Sequence, residues 1–184
     1  MKALYVAAAV SFVTSGALAD RADDINAHLA AISGQDPIKS VIAAEAALAS
    51  DDFQLRNMAL EAALKSTNSR VREVAFSYVI GVQKTFTVDI VTPKNADTPF
   101  FAAATATSTL RFVVDHFDKA HGQFDGGVPV INGWVKGTVA RDGITATFRW
   151  NADCTLRLST VEGEYLSGTL KCGTQSLKVQ SALR

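Results

Sequence analysis

Cysteine is almost missing from this chain: Cys154 and Cys172 are the only two in 184 residues. They are not spaced as CxxC, and no histidine lies near either in sequence, so a redox motif or a zinc site built on them is set aside. Proline, with 4 residues, and glycine, with 12, are too sparse for a disordered or low-complexity chain. Net charge is absent as well. The 18 basic residues balance 18 acidic ones, which leaves no electrostatic footprint for nucleic acid or an anionic membrane. The signatures GxSxG and HExxH do not occur, and Gly126-Gly127 lacks the spacing of a phosphate-binding loop. No catalytic motif is legible, and no cofactor is expected.

What is present begins at the N-terminus. Lys2, the apolar run Ala3 to Val13 and the small-residue triplet Ala17-Leu18-Ala19 are the three parts of a secretory signal, with cleavage expected after Ala19. The apolar run is too short to span a bilayer, so the mature chain is expected to have no membrane span and to be periplasmic or extracellular. In an exported chain an even pair of cysteines reads as a disulfide, here Cys154–Cys172.

Three segments follow: a signal peptide over 1–19, a helical part over 20–81 and a β part over 82–184. A repeat of period 16 runs through the helical part, where Glu45-Ala46-Ala47-Leu48 recurs as Glu61-Ala62-Ala63-Leu64. In that frame Ala27, Ala43, Ala59 and Ala75 align, as do Ile32, Leu48, Leu64 and Ile80. The spacing predicts about four short helices, separated by turns at 33–37, 50–52 and 66–69 whose Ser, Asp, Asn and Pro residues suit caps and first turns. The patterns Asp52-x-x-Leu55-Arg56-x-x-Ala59-x-x-Ala62-Ala63-Leu64 and Val71-Arg72-x-x-Ala75 resemble HEAT-type helical repeats. That resemblance implies stacked helix pairs presenting a surface to a protein partner, with Arg56 and Arg72 as candidate contacts.

After Gly81 the periodicity changes from helical to alternating. Val82, Phe86, Val88 and Ile90 predict a first strand ended by Thr92-Pro93, with a loop over Lys94 to Thr98. Phe100 to Thr107 suits either a helix or a strand. Leu110, Phe112 and Val114 restore the alternation, and His116 to Ile131 reads as a short strand plus a long loop. Asp142-Gly143 predicts a two-residue hairpin turn pairing Val139 with Ala146, Gly137 with Phe148 and Val135 with Trp150. A turn at 151–153 then sets Phe148 opposite Leu156 and Trp150 opposite Cys154. A hairpin around Gly163 pairs Cys154 with Cys172, Leu156 with Leu170, Leu158 with Gly168 and Val161 with Tyr165. One apolar face runs across five strands, a meander whose dry side needs covering. The fold class is therefore α+β: an antiparallel helical array, then an antiparallel meander closing as a sandwich or a partly closed barrel.

One polar cluster stands out, Asp115-His116-Phe117-Asp118-Lys119-Ala120-His121. His116, Asp118 and His121 are candidate metal ligands or an acid–base set, although their spacing fits neither one strand face nor one helix face. Trp134 alternates with the apolar position of Val135 and is a candidate for partner contact or sugar stacking. The function expected is a non-enzymatic interaction or binding module of the bacterial cell envelope with a protein partner. The alternatives are a small metal-assisted hydrolase near His116 and His121, or a carrier of a small ligand in the β half.

Overall fold

A computed structural model describes residues 14–91, 109–150, 152–163 and 165–182. The apolar start of the signal-like segment, the Thr92-Pro93 strand end, the loop at Lys94 to Thr98 and the ambiguous Phe100 to Thr107 lie outside the described residues, as does Asn151. Four helices come first: α1 (Thr14–Ile32), α2 (Pro37–Leu48), α3 (Phe53–Leu64) and α4 (Ser69–Gln83). Helix α1 begins at Thr14 and runs through Ala17-Leu18-Ala19 without a break.

The period of 16 has a structural cause. Asp36, Asp52 and Asn68 are the N-caps of α2, α3 and α4, and each side chain accepts hydrogen bonds from backbone N–H groups of the following first turn. The branched column is buried throughout; in the alanine column Ala59 and Ala75 are buried, Ala43 is half-buried and Ala27 is exposed. Ala47, Ala59, Ala63 and Ala75 are fully buried, as are Ile32, Leu48, Leu64 and Ile80 to within a few per cent. Alanine at these positions lets backbones approach closely. Each helix packs on its neighbours in sequence, and in addition α1 lies against α3 and α2 against α4. The arrangement is two layers of helices, α1 with α3 and α2 with α4.

Helix α4 does not stop at Gly81, as the sequence suggests, but runs to Gln83, with Lys84 in the left-handed conformation as its C-cap. Val82 is therefore an exposed helical residue and not part of the first strand. Eight strands follow: β1 (Thr85–Ile90), β2 (Thr109–Asp118), β3 (Gln123–Val128), β4 (Gly133–Ala140), β5 (Gly143–Trp150), β6 (Ala152–Glu162), β7 (Tyr165–Cys172) and β8 (Gln175–Ala182). They pair antiparallel in chain order and close into a barrel through β1 and β8. The architecture is thus α+β with a closed barrel rather than a sandwich. The segment 116–131, expected as a short strand plus a long loop, is the end of β2, a tight turn, the whole of β3 and a short 3-10 turn over Pro129–Ile131.

The faces follow the alternation, but the register needs correction in two hairpins. Val139 pairs with Ile144, Gly137 with Ala146 and Val135 with Phe148, two residues from the expected pairing. The turn is Arg141-Asp142, and Gly143 is already in β5, where a Cβ would lie 2.1 Å from the Leu158 carbonyl oxygen. The shift carries into the next hairpin, so Phe148, not Trp150, stands opposite Cys154. The ring that covers Gly137 is Phe124, from the strand on its other side. In the β6–β7 hairpin Cys154 pairs with Cys172 and Leu156 with Leu170 as expected, and the two cysteines form a disulfide. A bulge between Leu158 and Thr160 then places Glu162, not Val161, opposite Tyr165.

A second bulge, between Val114 and His116 in β2, decides how the two halves meet. Leu110, Phe112 and Val114 point inward; the extra residue, Asp115, resets the alternation so that Phe117 pairs with Phe124. Phe117 then packs on α4, its ring 3.0 Å from where a Cβ on Gly81 would sit. An ion pair at 3.4 Å joins Glu73 of α4 to Arg141 in the β4–β5 turn. Helices and barrel share one continuous apolar core. At the closing seam, among the described residues, β1 meets β8 at Asp89–Gln180 and Ile90–Val179, extended by the Val91 N–H donating to the Lys178 carbonyl at 2.9 Å.

Candidate functional site

The expected arginine contacts turn inward to their own array. Arg56 Nη1 donates to the Ser50 carbonyl at 2.7 Å, and Arg72 Nη1 donates to the Ser66 carbonyl at 2.7 Å. Ser40 occupies the same place one repeat earlier and donates to the Gly34 carbonyl at 3.0 Å. Each side chain satisfies a carbonyl left open at the end of the preceding helix. The Asp52 carboxylate caps α3 and receives both Nε and Nη2 of Arg21 from α1, at 3.1 and 3.0 Å. Backbone donation from Leu55, with the Arg21 guanidinium beside it, holds the Asp52 carboxyl below its usual range.

Exposed apolar side chains occur on both helical layers and on the barrel, and Ile38, Ile42 and Val82 lie on the α2–α4 layer. Ile38 and Ile42, one turn apart on α2, are 68% and 60% exposed. Glu45 and Ala49 continue that face and border a groove of about 400 Å³ between α2, α4 and the end of β2. Leu48, Val74, Tyr78 and Phe117 line it, and the exposed Glu45 and Lys119 supply one charge of each sign. The repeat frame does not mark this feature, because its aligned columns contain neither Ile38 nor Ile42.

Of the polar cluster, Asp118 and His121 come together. His121 Nδ1 lies 2.7 Å from an Asp118 carboxylate oxygen, and the Ala120 and His121 N–H groups donate to the other oxygen at 3.0 and 3.3 Å. The His121 side chain, and then these backbone donors, hold the Asp118 carboxyl below its ordinary value. His116 is turned outward by the β2 bulge and stands opposite Asp125 on β3. Among the described residues no group of three His, Cys, Asp or Glu side chains could hold a metal ion, so the proposed His116–Asp118–His121 ligand set is not assembled. The pair is a turn-stabilising hydrogen bond.

The barrel interior is filled by side chains. Phe86 stacks on Phe112 at 4.8 Å between centroids, Phe112 meets the edge of Phe148 at 5.4 Å and Phe86 that of Phe124 at 6.3 Å. These rings occupy the space that a carrier of an apolar ligand needs to keep open. On the outer wall, Trp134 is 78% exposed beside the fully buried Val135. A depression of about 300 Å³ adjoins it, bordered by Asp115, Asn132 and the backbone of Gly127 and Gly133. What could have marked this surface in the sequence is the apolar residue on the polar face of a strand.

The geometry defines a helical array leading into a closed eight-stranded antiparallel barrel. Comparison with protein-family models, curated proteins and solved structures finds no match. Among the described residues no helix is long and apolar enough to cross a membrane.

Proposed function

We propose that this chain is a non-enzymatic interaction module of the bacterial cell envelope, and that its α2–α4 layer receives an apolar helix or strand of a protein partner. The observation that carries this is the solvent-facing apolar stripe of Ile38 and Ile42, continued by the groove that Leu48, Val74 and Phe117 line. A helix that buries alanines on one side and exposes isoleucines on the other presents more apolar surface to water than its own packing requires. A partner inserted between two helices would use anchors at helical spacing. The Cys154–Cys172 disulfide belongs to an oxidising compartment, and the signal-like N-terminus supports export to the periplasm or beyond.

The test is site-specific photocrosslinking from position 42 and from position 82 in the native envelope, with identification of the joined protein. The same protein must be captured from both positions, and Ile38→Glu must abolish its capture while leaving the melting temperature of the purified chain unchanged. Capture that persists in the Ile38→Glu chain, or different products from the two positions, defeats the assignment.

A further inference from the structure

The outer wall of the barrel carries a second surface. Trp134 is the most exposed large apolar side chain among the described residues. Its cross-strand neighbour on β3 is Gly127, so no side chain covers the indole from that strand. Two irregular backbone positions bring polar groups to its depression. Asp115 is the extra residue of the β2 bulge, and Asn132 takes a left-handed conformation with φ 49° where a short 3-10 turn over Pro129–Ile131 ends. Functional side chains are commonly re-aimed by bulges and by left-handed residues.

From Trp134 the outward positions of β4 continue through Lys136 and Thr138 into a second depression, of about 430 Å³, which His116 and Asp125 also border. Successive outward residues on a strand stand about 7 Å apart, so this strip is longer than a single sugar ring. An exposed π-face flanked by a carboxylate and a carboxamide matches the two sides of a pyranose. Its C–H face stacks on an indole, and its hydroxyls donate to Asp oxygens while exchanging hydrogen bonds with Asn. A protein hot spot would instead surround the indole with apolar neighbours that exclude water. Here Asp115, Asn132 and glycine backbone border the depression along with Val128 and Pro129, so the surround of the indole is mixed rather than an apolar ring.

We propose that the outer face of β2–β4 binds an oligosaccharide, with Trp134 as the stacking platform and Asp115 and Asn132 as the groups that fix the stacked ring. The oxidised full-length chain, fluorescently labelled, is screened on a broad glycan microarray, and the strongest glycan is then titrated while tryptophan emission is followed. The chain has two tryptophans, and Trp150 is half-buried, so the emission change reports mainly on Trp134. We expect saturable binding with a blue shift, an affinity lower by about tenfold or more in Trp134→Ala, and a loss of about threefold to tenfold in Asp115→Asn and in Asn132→Ala. The melting temperature of Trp134→Ala stays at that of the parent, which separates lost binding from lost folding. A parent chain that binds no glycan above the level of Trp134→Ala overturns the proposal. So does undiminished affinity in that variant, or saturation of the emission change by choline in place of any glycan, which would make the indole a cation platform.

Discussion

Arg56 reaches back from α3 to the Ser50 carbonyl at the end of α2, and the 2.7 Å bond is repeated sixteen residues later by Arg72 and Ser66. The same guanidinium stands 6.0 Å from the centroid of the exposed Phe53 ring. These arginines stitch one helix end to the next. Arg56→Ala and Arg72→Ala should each lower stability by about 1 kcal/mol, since a charged donor is lost from a half-buried carbonyl. Urea denaturation measures this, and Arg→Lys should restore only part of it because the fork geometry is lost.

The disulfide staples the β6–β7 hairpin across a sequence separation of 18. Closing a loop of this size contributes about 3 kcal/mol in the chain-entropy account. Reductant, or Cys154→Ala with Cys172→Ala, should lower the melting temperature while the far-ultraviolet circular dichroism of the folded state is retained. Equal melting with and without reductant would show that the bond carries no stability.

Two glycines of the same hairpin should respond differently to alanine. At Gly168 a Cβ would fall 1.8 Å from the Arg157 carbonyl oxygen, a clash with strand backbone that neither side can relieve. Gly168→Ala should cost about 3 kcal/mol or more. At Gly163 nothing lies within 4 Å, and only the φ of 63° opposes a side chain. Gly163→Ala should cost about 1 kcal/mol. Thermal melts of the two variants, run side by side, check the contrast.

Acid should loosen the helical array through its caps. Backbone N–H groups of Lys39 and Ile38 depress the Asp36 carboxyl, and those of Leu55 and Gln54, with Arg21, depress that of Asp52. A carboxyl whose folded pKa lies below its unfolded one stabilises fully above the ordinary value of 3.8, and that contribution fades as pH falls through the folded value. Asp52→Asn keeps a capping side chain but not its charge. The variant should be less stable at pH 7 and lose less on acidification, read as urea midpoints at pH 7 and pH 3.

Much of this fold was written in the sequence because its signals are periodic. The column of Ile32, Leu48, Leu64 and Ile80 became the buried helix face, and the cap residues Asp36, Asp52 and Asn68 fell in the turns between units. Strand faces held for the same reason, since a shift of two residues in register preserves the side of every side chain. That is why misplacing the turn at Asp142-Gly143 left the assignment of inward residues intact while changing each pair. What stayed hidden was irregular. Neither bulge has a composition of its own, yet the one at Asp115 turns Phe117 onto α4 and His116 outward. Closure was equally illegible, because it depends on β1 meeting a strand that begins 85 residues after Ile90, at Gln175. The surface stripe of Ile38 and Ile42 went unmarked, since apolar spacing does not say which side of a helix its neighbours occupy.

The β1–β8 seam sets an order of events for the whole barrel. Every other pair of neighbouring strands is adjacent in the chain, whereas β1 and β8 can meet only after the last strand has arrived. Loop-closure entropy makes that the slowest contact to form. We expect the barrel to open first along this edge, so that deuterium exchange reaches the amides bonded across it before those of the other strand pairs.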